Sequence, residues 1–245
     1  MNYKPIFFFI TLLFSLNIYA EENKCKLKIA YEQNPPLIYN EANKIVGIEA
    51  ELISKIISKT NCVIEWINLP WHHVLASLKS GDVDIATTAT YADERLLYSN
   101  FTIPYREEII KLYVRKNDIH TIQAKNLNEF LENTKLKIGY NNSYKFDQVT
   151  NDLINNPQYQ DRFEAVIDSS LNFYKLQAHL LDGIIMDSIT ANHIIRKNNW
   201  INKFDVYEFN ICTNPLSLMV SKKNDPNGYY FDILNNTIRQ LYNEE

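Results

Sequence analysis

The sequence predicts an α/β protein of two similar lobes, each a mixed sheet flanked by helices. Three observations predict it. Apolar segments with strand and helix periodicity alternate along the chain, the order of a sheet with crossover helices. One pattern, a helix end, a glycine, a buried strand, polar residues and another helix, occurs at residues 79–88 and again at 181–190. Beyond the N-terminal segment, no apolar run approaches the ~20 residues that a bilayer-spanning helix needs.

The N-terminal segment reads as a leader. Lys4 precedes an apolar run over residues 6–16, and Ala20 closes it before Glu21, Glu22 and Asn23. This is the layout of a secretory signal peptide, so residues 1–20 are expected to be removed and the mature chain to be soluble and periplasmic. No small residue directly precedes Cys25, so no lipid is expected there. Loss of Lys4 takes the formal net charge from -4 to -5, which argues against nucleic acid or an anionic membrane surface as partner. A hydrophobic content of 46%, with 16 Tyr and 12 Phe, supports a packed core. Cys25 and Cys62 each stand just before a predicted strand. If those strands are parallel neighbours the two sulfurs can bridge, leaving Cys212 as a buried thiol; three reduced core cysteines is the other reading.

Residues 26–31 alternate as a strand, and Asn34, Pro35 and Pro36 force an extended turn. After Gly47, the stripe Ile48, Leu52, Ile53, Ile56 and Ile57 marks a core-facing helix over 48–59. Residues 63–67 form a second strand, 74–79 a helix ended by Gly81, and 83–86 a short buried strand. That strand runs into Thr87, Thr88 and Thr90, then a helix whose first turn holds Asp93, Glu94 and Arg95. Further strands are expected at 108–115, 136–140, 163–167 and 216–220. Helices are expected around 127–131, over 144–154, from Asp168 through Leu180, over 188–197 and over 230–242.

In open α/β sheets ligands sit beyond the carboxyl ends of strands, and both polar segments fall there. The Arg95 guanidinium can take a carboxylate with two parallel hydrogen bonds, and the Asp187 carboxylate can take an ammonium. At equivalent places in two lobes, the pair would hold a zwitterion. Each also has a plain structural reading, a solvated arginine and the N-cap of helix 188–197. Trp71, Tyr31 and Tyr91 are placed to supply aromatic walls. His72 and His73 are adjacent and do not share a helix face. No zinc spacing, phosphate loop or nucleophile elbow occurs, so neither metal nor cofactor is expected.

These residues resemble the bacterial extracellular solute-binding proteins of polar amino acid uptake, whose fold is shared with the ligand core of ionotropic glutamate receptors. The resemblance rests on Pro35-Pro36, on Val46-Gly47-Ile48-Glu49, and on Ser80-Gly81-Asp82-Val83-Asp84. The segment from Thr90 to Arg95, the turn with Ser99, Phe101, Pro104 and Tyr105, and Asp182-Gly183 through Asp187 extend it over nearly the whole mature chain. It implies a two-lobed periplasmic binding protein of type II joined by two hinge crossings. Lobe one would be residues 21–107 with 216–245, and lobe two residues 108–215.

The resemblance also implies a site: Arg95 on the ligand carboxylate with help from Thr88 and Thr90, and Asp187 on the amino group. Asn142-Ser143-Tyr144-Lys145 stands where the family has Gly followed by Ser or Thr, which brings Ser143 and Tyr144 into the expected site. The chain is then a monomer that captures a polar amino acid for an ABC-type membrane permease. Two rivals follow from the same likeness. One is an enzyme like the periplasmic cyclohexadienyl dehydratases, with Glu32 or Lys145 as acid or base. The other is a sensing module for a membrane receptor.

Overall fold

The computed structural model describes residues 25–118, 124–142, 144, 146–166 and 169–243. The predicted leader, Ser143, Lys145 and Asp168 lie outside them.

The chain begins with β1 (Lys26–Tyr31), whose alternation buries Leu27 and Ile29. A hairpin that the sequence reading missed follows, β2 (Tyr39–Glu41) and β3 (Lys44–Val46), turned by Ala42 and Asn43 at positive φ. Its strands are too short to show a period. Helix α1 (Ile48–Ile57) starts where Gly47 adopts φ 117; a Cβ there would sit 2.3 Å from the Leu37 carbonyl oxygen, so only glycine fits. That close approach lets the Leu37 carbonyl accept from the Glu49 N–H at 2.8 Å. Then come β4 (Val63–Asn68), α2 (Trp71–Ser80), β5 (Ile85–Thr90), β6 (Ser99–Phe101) and β7 (Arg106–Arg115). The second half holds α3 (Leu127–Asn133), β8 (Ile138–Asn141), α4 (Gln148–Asn155), β9 (Phe163–Val166), α5 (Ser169–Gln177) and β10 (Gly183–Asp187). It closes with α6 (Ser188–Lys197), β11 (Phe204–Ser221) and α7 (Tyr229–Asn243).

Three expectations are corrected. The strand expected at 83–86 is β5, which carries the three threonines within it because pairing with β11 extends to Leu216 opposite Thr90. Arg95 stands in a short 3-10 segment, Asp93–Leu97, and not in an α-helix. The helix expected from Tyr144 begins at Gln148, because the Asp147 side chain caps it by accepting from the Thr150 N–H at 2.9 Å.

Among the described residues one nine-stranded sheet runs in the order β4-β1-β5-β11-β7-β10-β8-β9, with β6 also on β11. Each end is a parallel trio, β4-β1-β5 and β10-β8-β9. Parallel neighbours require crossovers, and the intervening helices supply them on both faces. The middle is antiparallel, with β7 and β11 paired from Phe204 opposite Arg115 to Leu216 opposite Arg106. Each end has its own core. Ile29, Ile53, Ile56 and Leu218 pack with Leu234 and Ile238 of α7 in one lobe; Leu112, Phe130, Ile138 and Ile185 pack together in the other. Cys25 and Cys62, at the same edge of the paired strands β1 and β4, form a disulfide, and Cys212 is a buried free thiol.

Candidate functional site

The end of β5 forms the first wall. Thr88 sits at φ 57, which is uncommon for a β-branched residue, and its N–H is taken by the Tyr105 hydroxyl at 3.0 Å. That hydroxyl donates onward to Glu49, a fully buried carboxylate on the first turn of α1, which also pairs with Arg106 at 3.3 Å. Burial raises the Glu49 pKa against the lowering effect of Arg106. A buried network therefore fixes the backbone of the wall from behind.

Arg95 is only 4% exposed. Its guanidinium donates to the Thr90 carbonyl at 3.0 Å and lies 5.4 Å from the Trp71 ring centroid. Its Nε and Nη2 meet no acceptor among the described residues. Desolvation lowers its pKa, yet a guanidinium stays charged at any ordinary pH. Trp71 opens α2, and the Glu32 carboxylate accepts from its N–H at 3.0 Å.

The opposite wall includes α6, which follows directly on β10. Asp187, 1% exposed, caps α6 through Oδ2, which accepts from the Thr190 N–H at 2.8 Å. Its Oδ1 is buried without a partner among the described residues. Buried acceptors are nearly always satisfied, so this oxygen marks a place for a donor that the chain itself does not supply. The Thr190 hydroxyl reaches across to the Asn34 side chain at 3.4 Å.

Between the walls lies a cleft of about 1060 Å³ lined by Trp71 and Arg95 on one side and by Asn141, Tyr144 and Thr190 on the other. At its inner end is a pocket of about 80 Å³ formed by Thr88, Thr90, Arg95, Trp71, Tyr144, Leu216 and Glu108. The two cavities thus bring together Trp71, Thr88, Thr90, Arg95 and Tyr144 of the residues expected from the sequence, while Asp187 lines neither and lies buried next to Thr190. Tyr31 is not among its walls: the ring is 1% exposed, packs edge-on against Trp66 at 5.8 Å and joins Ile38 and Ala50 in the core. Tyr91 is exposed, with its ring against Phe101. Sequence reasoning missed Asn34, Asn141, Thr190 and Glu108. Nothing in the sequence singled out Glu108, which is one of five charged residues in β7. Among the described residues no group of three His, Cys, Asp or Glu is placed to hold a metal, and no helix is long and apolar enough to cross a membrane.

Comparison with known proteins gives the family and the fold. The family model "Bacterial extracellular solute-binding proteins, family 3" matches residues 27–244. A "Probable histidine-binding protein" of Campylobacter jejuni is 27% identical over 174 residues, which are 70% of this chain and 64% of the relative. This chain thus spans just under two thirds of that curated relative, and it matches 33% of the probable amino-acid-binding protein YxeM of Bacillus subtilis at 28% identity. Solved structures share the fold. An ancestral arginine-binding protein bound to arginine gives a TM-score of 0.70 at 19% identity, covering 89% of this chain and 92% of that one. The arginine-, lysine-, histidine-binding protein ArtJ of Geobacillus stearothermophilus gives 0.67 at 22%, covering 89% and 90%. A histidine kinase sensor domain with similarity to periplasmic binding proteins gives 0.71 at 17%, covering 89% and 91%.

Proposed function

This chain belongs to the bacterial extracellular solute-binding proteins, family 3, and we propose that it captures a polar amino acid in the cleft and presents it to an ABC-type importer. One observation carries the reading. Arg95 offers unused N–H donors from one wall, and Asp187, buried next to Thr190 of the other, offers an unpartnered carboxylate oxygen. A zwitterion satisfies both at once, its carboxylate on the guanidinium fork and its ammonium on Asp187. Thr88, Thr90 and Trp71 flank the carboxylate end, and Tyr144 belongs to the second wall; Ser143 is proposed as a further contact on the resemblance alone.

In this reading the lobes divide between residues 107 and 108 and between 215 and 216, where β7 and β11 cross. Ligand favours the closed state because it contacts both walls only there. Relatives named for binding histidine and arginine support an amino acid as the ligand. Catalysis is the weaker reading: Glu32, one of the two nominated acids or bases, is engaged by the Trp71 N–H. The likeness to a kinase sensor domain favours a second use of the same ligand site, as a sensing module.

A thermal-shift screen of the twenty amino acids tests the proposal. A ligand at a hundred times its dissociation constant adds ~2.7 kcal/mol of stability, roughly 5 to 10 °C of midpoint for a chain of this size. No shift with any amino acid overturns it.

A further inference from the structure

Glu108 stands outside the pairing just described. It lies on β7, where Arg106, Glu108 and Ile110 alternate onto one face. Asp187 of β10 is in register with Ile110, so Glu108 is its diagonal neighbour on that face. Asn214 of β11 is directly opposite and donates to Glu108 Oε2 at 3.3 Å. Oε1 has no partner among the described residues, and the side chain lines the inner pocket beside Thr88, Thr90 and Arg95.

The charges around it do not cancel. Arg106, the nearest cation on its own strand, is committed to the buried Glu49. A bound zwitterion uses Arg95 for its carboxylate and Asp187 for its ammonium. Glu108 is then left as a partly buried carboxylate with one neutral donor, a costly arrangement unless it takes a proton or meets another cation.

We propose that Glu108 is a specificity residue of the cleft: it provides a second anionic contact that selects amino acids carrying a cationic side chain over neutral isosteres. This rests on the amino-acid-binding reading and adds the ligand class to it. A cationic ligand brings three charges to Arg95, Asp187 and Glu108 and leaves none unpaired, whereas a neutral side chain requires Glu108 to stay protonated.

The carboxyl is poised for this. Burial, and then the charge of Asp187, push its pKa up to about 7, against Asn214 and Arg106, which lower it; Glu49 adds a smaller raising effect. The cation needs the ionised form, so preference for it strengthens as pH rises through this value.

The test is calorimetric titration of two matched pairs, L-arginine with L-citrulline and L-lysine with L-norleucine, into wild type and Glu108→Gln. In wild type the cationic member of a pair should bind more tightly, and its advantage should grow by up to about a hundredfold between pH ~6 and pH ~8, one decade per pH unit when the two complexes differ by one proton. In Glu108→Gln the advantage should shrink and lose its pH dependence, with the neutral member bound at pH ~6 about as it is by wild type, whose Glu108 is then protonated. A mutant that keeps the wild-type ratio at both pH values, or a wild type that prefers the neutral member, overturns the assignment and leaves amino acid binding intact. Failure of both pairs and of every amino acid in the melting screen overturns both readings.

Discussion

The guanidinium carbon of Arg95 lies 5.4 Å from the Trp71 ring centroid, while one of its nitrogens is tied to the Thr90 carbonyl. The arginine is held in place before any ligand arrives. Arg95→Ala should therefore remove a paired, desolvated contact of ~2 to 5 kcal/mol, roughly thirty-fold to several thousand-fold in affinity. Arg95→Lys should recover only part, because the bidentate fork is lost. Trp71→Ala should weaken binding less than Arg95→Ala, and Trp71→Phe less again. Calorimetry with the best amino acid checks the order, and a folded Arg95→Ala that binds within threefold of wild type would remove the anchor.

Asp187 has two tasks that one substitution can separate. Asparagine caps helices about as well as aspartate, so Asp187→Asn should keep α6 and melt near wild type. It should lose the ammonium contact, costing ~2 kcal/mol or more. Equal melting with binding lowered about thirty-fold is the expected pair of results. Unchanged affinity would confine Asp187 to its capping role.

Cys25 and Cys62 close a loop of 37 residues in sequence separation. Replacing both with serine should cost ~3 to 4 kcal/mol, seen as a lower denaturant midpoint. Burial pushes the Cys212 thiol up to about 11, so it should resist alkylation in the folded protein. Thiol counting on native, unreduced protein should find none and on unfolded, unreduced protein one. A count of three after unfolding would contradict the bridge.

Stability should fall as pH rises from about 4.5 to about 7. The unfolded chain loses the Glu108 proton near the ordinary value of 4.5, while the folded protein holds it to about 7. Across that window the folded state binds more protons, so each pH unit removes up to ~1.4 kcal/mol. Burial raises Glu49 as well, which works in the same direction. Glu108→Gln should melt with a shallower fall between pH ~5 and pH ~8 than wild type. Superimposable slopes would show that Glu108 carries no linked proton.

Most of the architecture was legible because it rests on burial. The stripe in α1 and the apolar runs of β1, β7 and β10 announce their elements, and Gly81 announces a helix end through its left-handed conformation. Arg95 and Asp187 were legible as residues following buried strands. What stayed hidden depends on partners distant in sequence. Thr90 looks like a loop residue until Leu216 of β11 pairs with it, and Thr88 sits in the irregularity between the paired Ala86 and Ala89. Tyr31 looks like a wall until Trp66, Ile38 and Ala50 enclose it. Glu108 looks like a stray surface acid until Asp187 and Asn214 are brought beside it. The Glu49 side chain, by position an ordinary first-turn acid, is buried because Tyr105 and Arg106 return to it from more than fifty residues away.

The place of β11 in the sheet also dictates when the molecule can assemble. Ile85 of β5 finds its partner in Val220, and Val114 of β7 finds one in Asp205, so each trio is completed by chain made near the end. A growing or truncated chain that stops before residue 204 has β5 and β7 with a bare edge each, open to pairing with other molecules. Such long-range closures are slow to form. Both halves must therefore wait for the same eighteen-residue strand, and fragments that end short of it should aggregate where the whole chain folds.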